Sequence, residues 1–319
     1  MKRRIWCETD APERPLDGPT LEALARREIE LILAVFPASL RALPAVLDRC
    51  TQAGLRVSLW PMLDDAQGRW ANARTMPAYL TFARQVLDHT GGRPLEALFV
   101  DLEPPIDLLR EALRSPLRAL RRLPQPGFEE ARGRLQEAAC WARREGVPLA
   151  SAVLPLVWLE GSGWEEALGV PWDGVPWAAV HAMMYSSLVE GYSGGLAGPS
   201  TSGALVALAA RQGRVRLGGL AGLSLGVIGP GALGDEQPLE STGALRRDLA
   251  AAMAAGVEDI ALFDLVGAQR RGPLDRWLDA LIDPLPGVAP AITAPARLVA
   301  AACQGFGAAL KHWRARGFG

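Results

Sequence analysis

Apolar positions along the chain follow two alternating periods. Short, nearly continuous apolar runs fall at 4–8, 29–36, 55–62, 95–102, 148–157, 177–185, 221–228 and 259–266. They have the length of strands and, in the middle of the chain, the unbroken apolarity of strands covered on both faces. Between them apolar residues return at helical spacing, as in Tyr79, Leu80, Phe82, Ala83, Val86 and Leu87, or Leu245, Leu249, Ala252 and Met253. Gly54, Gly146 and Gly256 stand just before strands, where a helix C-cap would release the chain. Eight strands alternating with helices predict a parallel sheet with right-handed crossovers, and eight strands close naturally into a (β/α)8 TIM barrel. An open doubly wound sheet is the runner-up; the first strand lacks the G-x-G-x-x-G turn that would favour it.

Two departures from strict alternation refine this. The longest gap, after strand four, predicts a helical insertion of two helices, 106–123 and 128–144, parted by Pro124-Gln-Pro-Gly127. The first carries Arg110, Arg114, Arg118 and Arg122 in a stripe backed by leucines, the pattern of a solvated amphipathic face. After the eighth helix a Pro-rich stretch precedes an extra C-terminal helix at 296–316, so the division reads 1–285 barrel and 286–319 linker plus a helix packed on it.

Composition adds mainly exclusions. The 319 residues are 49% hydrophobic, enough to fill a large core. The 22% charged residues nearly cancel to a net charge of −1, which argues against nucleic acid or a membrane as partner. The basic N-terminus has no apolar segment behind it, and no apolar run is long enough to span a bilayer, so the expected location is cytoplasmic. Cys7, Cys50, Cys140 and Cys303 form no C-x-x-C and suggest neither a zinc site nor a disulfide framework. No cofactor motif is present, and nothing sets an oligomeric state.

Active sites of such barrels lie at the C-terminal strand ends. The polar residues there are Glu8 and Asp10 after strand one, Trp60, Asp64 and Asp65 at strand three, and Asp101 and Glu103 at strand four. Strand five contributes Trp158 and Glu160, strand six Tyr185, Ser186 and Ser187, and strand eight Asp264. Asp101 and Glu103 are two apart, so both side chains point to one side of their strand. Close like charges raise one pKa, and the protonated partner can act as a general acid. Pro104-Pro105 stiffens the backbone directly behind the pair. His181, Met183 and Tyr185 share parity, which puts His181 deeper in the barrel as a core residue if Tyr185 faces the mouth. Ten tryptophans against three tyrosines suit packing and also stacking on sugar rings, with Trp60 and Trp158 as the candidate platforms.

The segment Asp101-Leu-Glu103 on strand four resembles the end of the D-x-x-D-x-D-x-E motif of family 18 glycoside hydrolases, the chitinase-like barrels. Met183-Met-Tyr185 resembles that family's M-x-Y, and Ser224-Leu-Gly226 is loosely similar to its seventh strand. The resemblance implies a carbohydrate substrate, Glu103 as general acid, Asp101 orienting an N-acetyl group that serves as nucleophile, and Tyr185 bonding to that group. Glu8, Trp60, Trp158, Ser186 and Asp264 would bind the substrate. This chain departs from the pattern at Glu96 and Phe99, where the family has its first and middle Asp, and at Ser186, where an Asp follows the tyrosine. The strand-eight tryptophan has no counterpart in Ala261-Leu-Phe-Asp264. Two other readings stay open: a barrel enzyme using Glu8, Asp101, Glu103 and Asp264 to bind Mg²⁺ or Mn²⁺, and a barrel that binds glycans without cleaving them.

Overall fold

The computed structural model describes residues 1–123, 125–159, 163–229, 231, 234, 236–283 and 290–315. Eight strands form a closed parallel barrel in chain order: β1 (Lys2–Cys7), β2 (Glu30–Val35), β3 (Val57–Pro61), β4 (Leu98–Leu102), β5 (Leu149–Val153), β6 (Val180–Met183), β7 (Ala221–Gly226) and β8 (Asp259–Phe263). The ring closes where Lys2 to Ile5 pair with Asp259 to Leu262. The chain is therefore a (β/α)8 TIM barrel.

The helices are α1 (Gly18–Arg26), α2 (Leu43–Gln52), α3 (Met76–Thr90), α4 (Ile106–Arg114), α5 (Pro116–Leu120), α6 (Phe128–Arg144) and α7 (Trp164–Leu168), then α8 (Ser186–Tyr192), α9 (Pro199–Leu217), α10 (Thr242–Ala254), α11 (Leu265–Arg270), α12 (Leu274–Ile282) and α13 (Ala294–Ala315). Gly54, Gly146 and Gly256 take φ of 70°, 78° and 82°, the left-handed turn that carries a helix into the next strand. Asp17 opens α1 by accepting the Thr20 N–H at 2.9 Å.

At two places where elements differ from expectation, proline is the cause. The helix expected over 106–123 breaks into α4 and α5, because Pro116 has no N–H and drives Ser115 out of helical geometry. The arginine stripe breaks with it: Arg122 pairs with Glu111 at 2.8 Å and with Asp107, while Arg110 lies 3.8 Å from Asp65. The strand expected over 148–157 stops at Val153, and Pro155 starts a 3-10 turn through Trp158.

Two main apolar layers hold the fold, with a small third cluster of Leu108, Ala119, Leu123 and Ala167 beside them. The larger lies between strands and helices; the smaller fills the barrel. Inside the barrel Trp6, Trp60 and Phe99 form one edge-to-face cluster, Trp6 standing 4.9 Å from Trp60 and 5.1 Å from Phe99. Alanines at 97, 150, 152, 179 and 261 complement these large rings. Below the rings sits a buried polar layer. Arg4 bonds both oxygens of Asp259 at 2.8 and 3.1 Å and also pairs with Glu30, which accepts from the Ser58 hydroxyl at 2.6 Å. His181 Nε2 lies 3.2 Å from Asp259, and Gly222 leaves room for the imidazole ring, since a Cβ there would come within 2.4 Å of it. The C-terminal helix α13 returns to the barrel shell: Trp164 donates to the Cys303 carbonyl at 2.9 Å and stacks at 5.3 Å on Phe306.

Candidate functional site

The open end of the barrel holds a cavity of about 330 Å³, within the size range of small-molecule sites. Trp6, Trp60 and Phe263 line its lower part. Glu8, Asp101, Glu103 and Tyr185, each expected at a strand end, also line it. The carboxylates of Asp101, on β4, and Glu103, directly after it, thus face one space, as their two-residue spacing predicts.

The placement of Glu103 depends on a segment that pairs with no full strand. β3 and β4 share only the register pair Leu59–Leu98, and Ala71 bridges to Leu102 above it. The Ala71 N–H donates to the Asp101 carbonyl at 2.9 Å, and the Glu103 N–H donates to the Ala71 carbonyl at 3.1 Å. Trp70 adds a bond from its indole to the Pro104 carbonyl at 2.6 Å. The backbone of 101–104 is therefore clamped on one side by residues 70–71 and stiffened behind by two prolines.

Arg69 opposes the carboxylates. It pairs with Glu8, and with Asp65 at 2.8 Å, and its guanidinium lies 5.8 Å from the Trp70 ring centroid. Arg69 itself holds φ at 65°, a left-handed conformation costly for a residue with a Cβ.

Charge is unevenly distributed here. Burial pushes the Glu103 carboxyl well above the usual range, and the neighbouring Asp101 pushes it further, against a smaller opposing pull from Arg69. Asp101 is raised by burial and by Glu8. Glu8 is raised by burial, with Arg69 acting against it. Burial and the surrounding carboxylates hold the Tyr185 phenol well above its ordinary value, so it remains a donor. Asp101 Oδ1 and Trp60 Nε1 are both buried, and the Trp60 indole faces Asp101 closely enough to lower its pKa against the effect of burial.

Three other expected residues are not brought into this lining. Trp158 is 1% exposed and packs against α9, where Gly213 makes room for its ring. The cause is the early end of β5: the turn at Pro155 carries Trp158 out of the strand line and into the shell. Ser186 is fully buried beside α10, its hydroxyl bonded to Asp248. Asp264 turns its carboxylate to the Gly267 N–H at 2.9 Å as the cap of α11, and burial raises its pKa to about 6. Asp10, Asp64 and Asp65 line a separate depression beside Glu8. Glu160 lies outside the described residues.

Sequence reasoning missed Arg69, Trp70 and Glu236, all of which line the cavity. Arg69 and Trp70 follow Gly68 in the long β3–α3 connection, and a cation next to an indole in a mouth loop was the available signal. It also missed the inner faces of α4 and α8, which supply Leu109, Leu113, Leu188 and Tyr192 to the walls.

No family model matches the chain, and no curated protein matches it in sequence. Solved structures of similar fold do exist. One is GH5_18 from Bifidobacterium longum subsp. longum in complex with Manb1-4GlcNAc, at 12% identity and a TM-score of 0.52, covering 83% of this chain and 69% of that one. Another is the PgaB (BpsB) glycoside hydrolase domain from Bordetella bronchiseptica, at 13% identity and a TM-score of 0.49, covering 88% and 99%. A third is an L-ribulose 3-epimerase, at 14% identity and a TM-score of 0.46, covering 99% and 97%. Of these, the GH5_18 structure, at a TM-score of 0.52 and 12% identity, shows the barrel fold alone.

Proposed function

We propose that the chain is a divergent glycoside hydrolase in which Glu103 is the general acid and Asp101 and Tyr185 orient the sugar. The observation that carries this is the carboxylate pair facing a cavity, Asp101 buried and Glu103 half-buried: desolvation first and Asp101 second raise the Glu103 carboxyl well above the usual range, which favours the protonated form a general acid requires. Glu103 gives that proton to the glycosidic oxygen as the C–O bond breaks. It recovers a proton from the water that adds to the sugar. Tyr185 donates to the sugar, and Trp60 offers an apolar face beneath it.

The family 18 arrangement is not reproduced below Asp101. Phe99 stands there, packed on Trp6 and, at 5.5 Å, on His181. The neighbours that tune Asp101 are Glu8 and Arg69 instead. The metal reading has less support. Glu8 is engaged by Arg69 and Asp264 by Gly267, and among the described residues no three His, Cys, Asp or Glu side chains are arranged to hold a metal ion.

A screen of chromogenic glycosides tests the proposal. Turnover by the wild type should survive a chelator and fall by about 10²-fold or more in Glu103→Gln, the scale of a lost general acid. Equal turnover in Glu103→Gln would sink the assignment. So would activity lost to chelator and restored by one divalent ion. Saccharide binding without turnover that survives Glu103→Gln and fails in Trp60→Ala would mark a non-catalytic glycan-binding barrel.

A further inference from the structure

The cavity has two unlike sides. Strands β1 and β4, with the loops after β3 and β7, contribute Glu8, Arg69, Asp101, Glu103 and Glu236. Strands β5 and β6, with α4 and α8, contribute aliphatic side chains such as Leu109, Leu154, Met184, Leu188 and Val189. Apart from Tyr185 and Tyr192, no described residue on that second side brings a side-chain oxygen or nitrogen. The aliphatic side continues outward. Leu113 and Tyr192 on its rim are 46% and 43% exposed. A second apolar cavity of about 450 Å³ has Leu109 and Ala112 in common with the first and reaches Trp164 and Phe306.

A purely saccharide substrate would fit this badly. On the second side its hydroxyls would lie mostly against Leu, Met and Val, with only the Tyr185 and Tyr192 phenols as side-chain partners. Aliphatic walls instead match a flexible alkyl chain, and each methylene buried there is worth about a factor of four in affinity. Glu103 stands at the seam between the two sides, at the end of β4 and just before α4.

We infer that the substrate is a glycoside carried on an extended alkyl chain, with its sugar against the carboxylates and its chain along the α4–α8 wall. This rests on the hydrolase reading above and names its substrate class. Glu103 protonates the oxygen between sugar and chain, that carbon–oxygen bond on the sugar side breaks, the chain leaves as an alcohol, and water completes the sugar.

The test uses alkyl glucosides and alkyl N-acetylglucosaminides below their micelle concentrations, followed by tryptophan fluorescence and calorimetry. Affinity should rise about two- to fourfold per added methylene over the first several carbons, in wild type and Glu103→Gln alike. That slope should flatten in Leu188→Asp and in Leu113→Asn, the latter sitting at a half-exposed position that tolerates a polar side chain. Affinity independent of chain length would overturn the inference. So would equal binding of alkyl phosphocholines, which share the chain but carry no sugar. Turnover without chain dependence would remove the inference and keep the hydrolase; chain-dependent glycoside binding without any turnover would remove the hydrolase and keep the amphiphile as the ligand.

Discussion

Glu103 stands between two opposed charges. Asp101 pushes its pKa up and Arg69 pulls it down, and both act through a buried, weakly screened medium. As a general acid Glu103 works only while protonated, so kcat/KM should fall as pH rises through its raised pKa. The two neighbours then give predictions of opposite sign. In Asp101→Asn the repulsion is gone, and the alkaline limb of the profile should move to lower pH. In Arg69→Met the attraction is gone, and the limb should move to higher pH. Movement of both limbs in the same direction would show that another group controls the profile. The same proton makes Glu103 a stability liability. Its folded pKa lies above its unfolded one, so its contribution to stability is full below the unfolded value and is lost as pH rises through the folded one. Thermal melts should therefore show Glu103→Gln gaining on wild type as pH is raised from about 5 to about 9.

At the scale of elements, glycines distinguish positions where backbone must come close from positions where it need not. In α9, a Cβ at Gly213 would lie 2.3 Å from the Trp158 ring, so Gly213→Ala should cost about 1–3 kcal/mol by overpacking. In α6, Gly133 has nothing within 4 Å of its would-be Cβ and ordinary helical geometry, so Gly133→Ala should stabilise by about 0.5–1 kcal/mol. Urea unfolding of the two variants checks both. The same elements show how far sequence patterning reaches. Helix α6 was legible to the residue, because its apolar stripe is continuous and Gly127 precedes it. The break at Ser115-Pro116 and the early end of β5 were not read, though a proline marks each. The apolar period continued across both prolines and hid the change of direction.

For the whole molecule, the barrel interior stacks three unlike layers: the Arg4–Asp259–Glu30 cluster below, aromatic rings in the middle, and carboxylates around Arg69 above. No helix among the described residues is long and apolar enough to cross a membrane. The top and bottom layers titrate in opposite senses. Despite its burial, Asp259 is held below the usual carboxylate range by His181 and Arg4. Its contribution is present above its unfolded pKa of about 4 and is lost as pH falls below that. The raised carboxylates Glu103, at the mouth, and Asp264, at the α11 cap with a pKa of about 6, destabilise as pH rises through their folded values. Global stability should therefore peak on the mildly acidic side of neutrality and decline in both directions. A stability maximum above pH ~8 would contradict the charge layering described here.

The chain's own pattern determined the barrel. Eight apolar runs with helical stretches between them leave few ways to cover both faces of every strand, and closure needs no motif. The pattern also determined that Asp101, Glu103 and Tyr185 share a mouth, since strand parity and strand ends are local properties. Only the tertiary structure decided what surrounds them. Arg69 reaches Glu8 across sixty-one positions of sequence, Ala71 clamps β4 from a loop, and α4 and α8 supply an aliphatic wall from opposite parts of the chain. It also sent Trp158 into the shell and tied Asp264 and Ser186 to backbone and core partners. These are contacts between segments distant in sequence, set by where turns redirect the chain, and no period along the sequence encodes them.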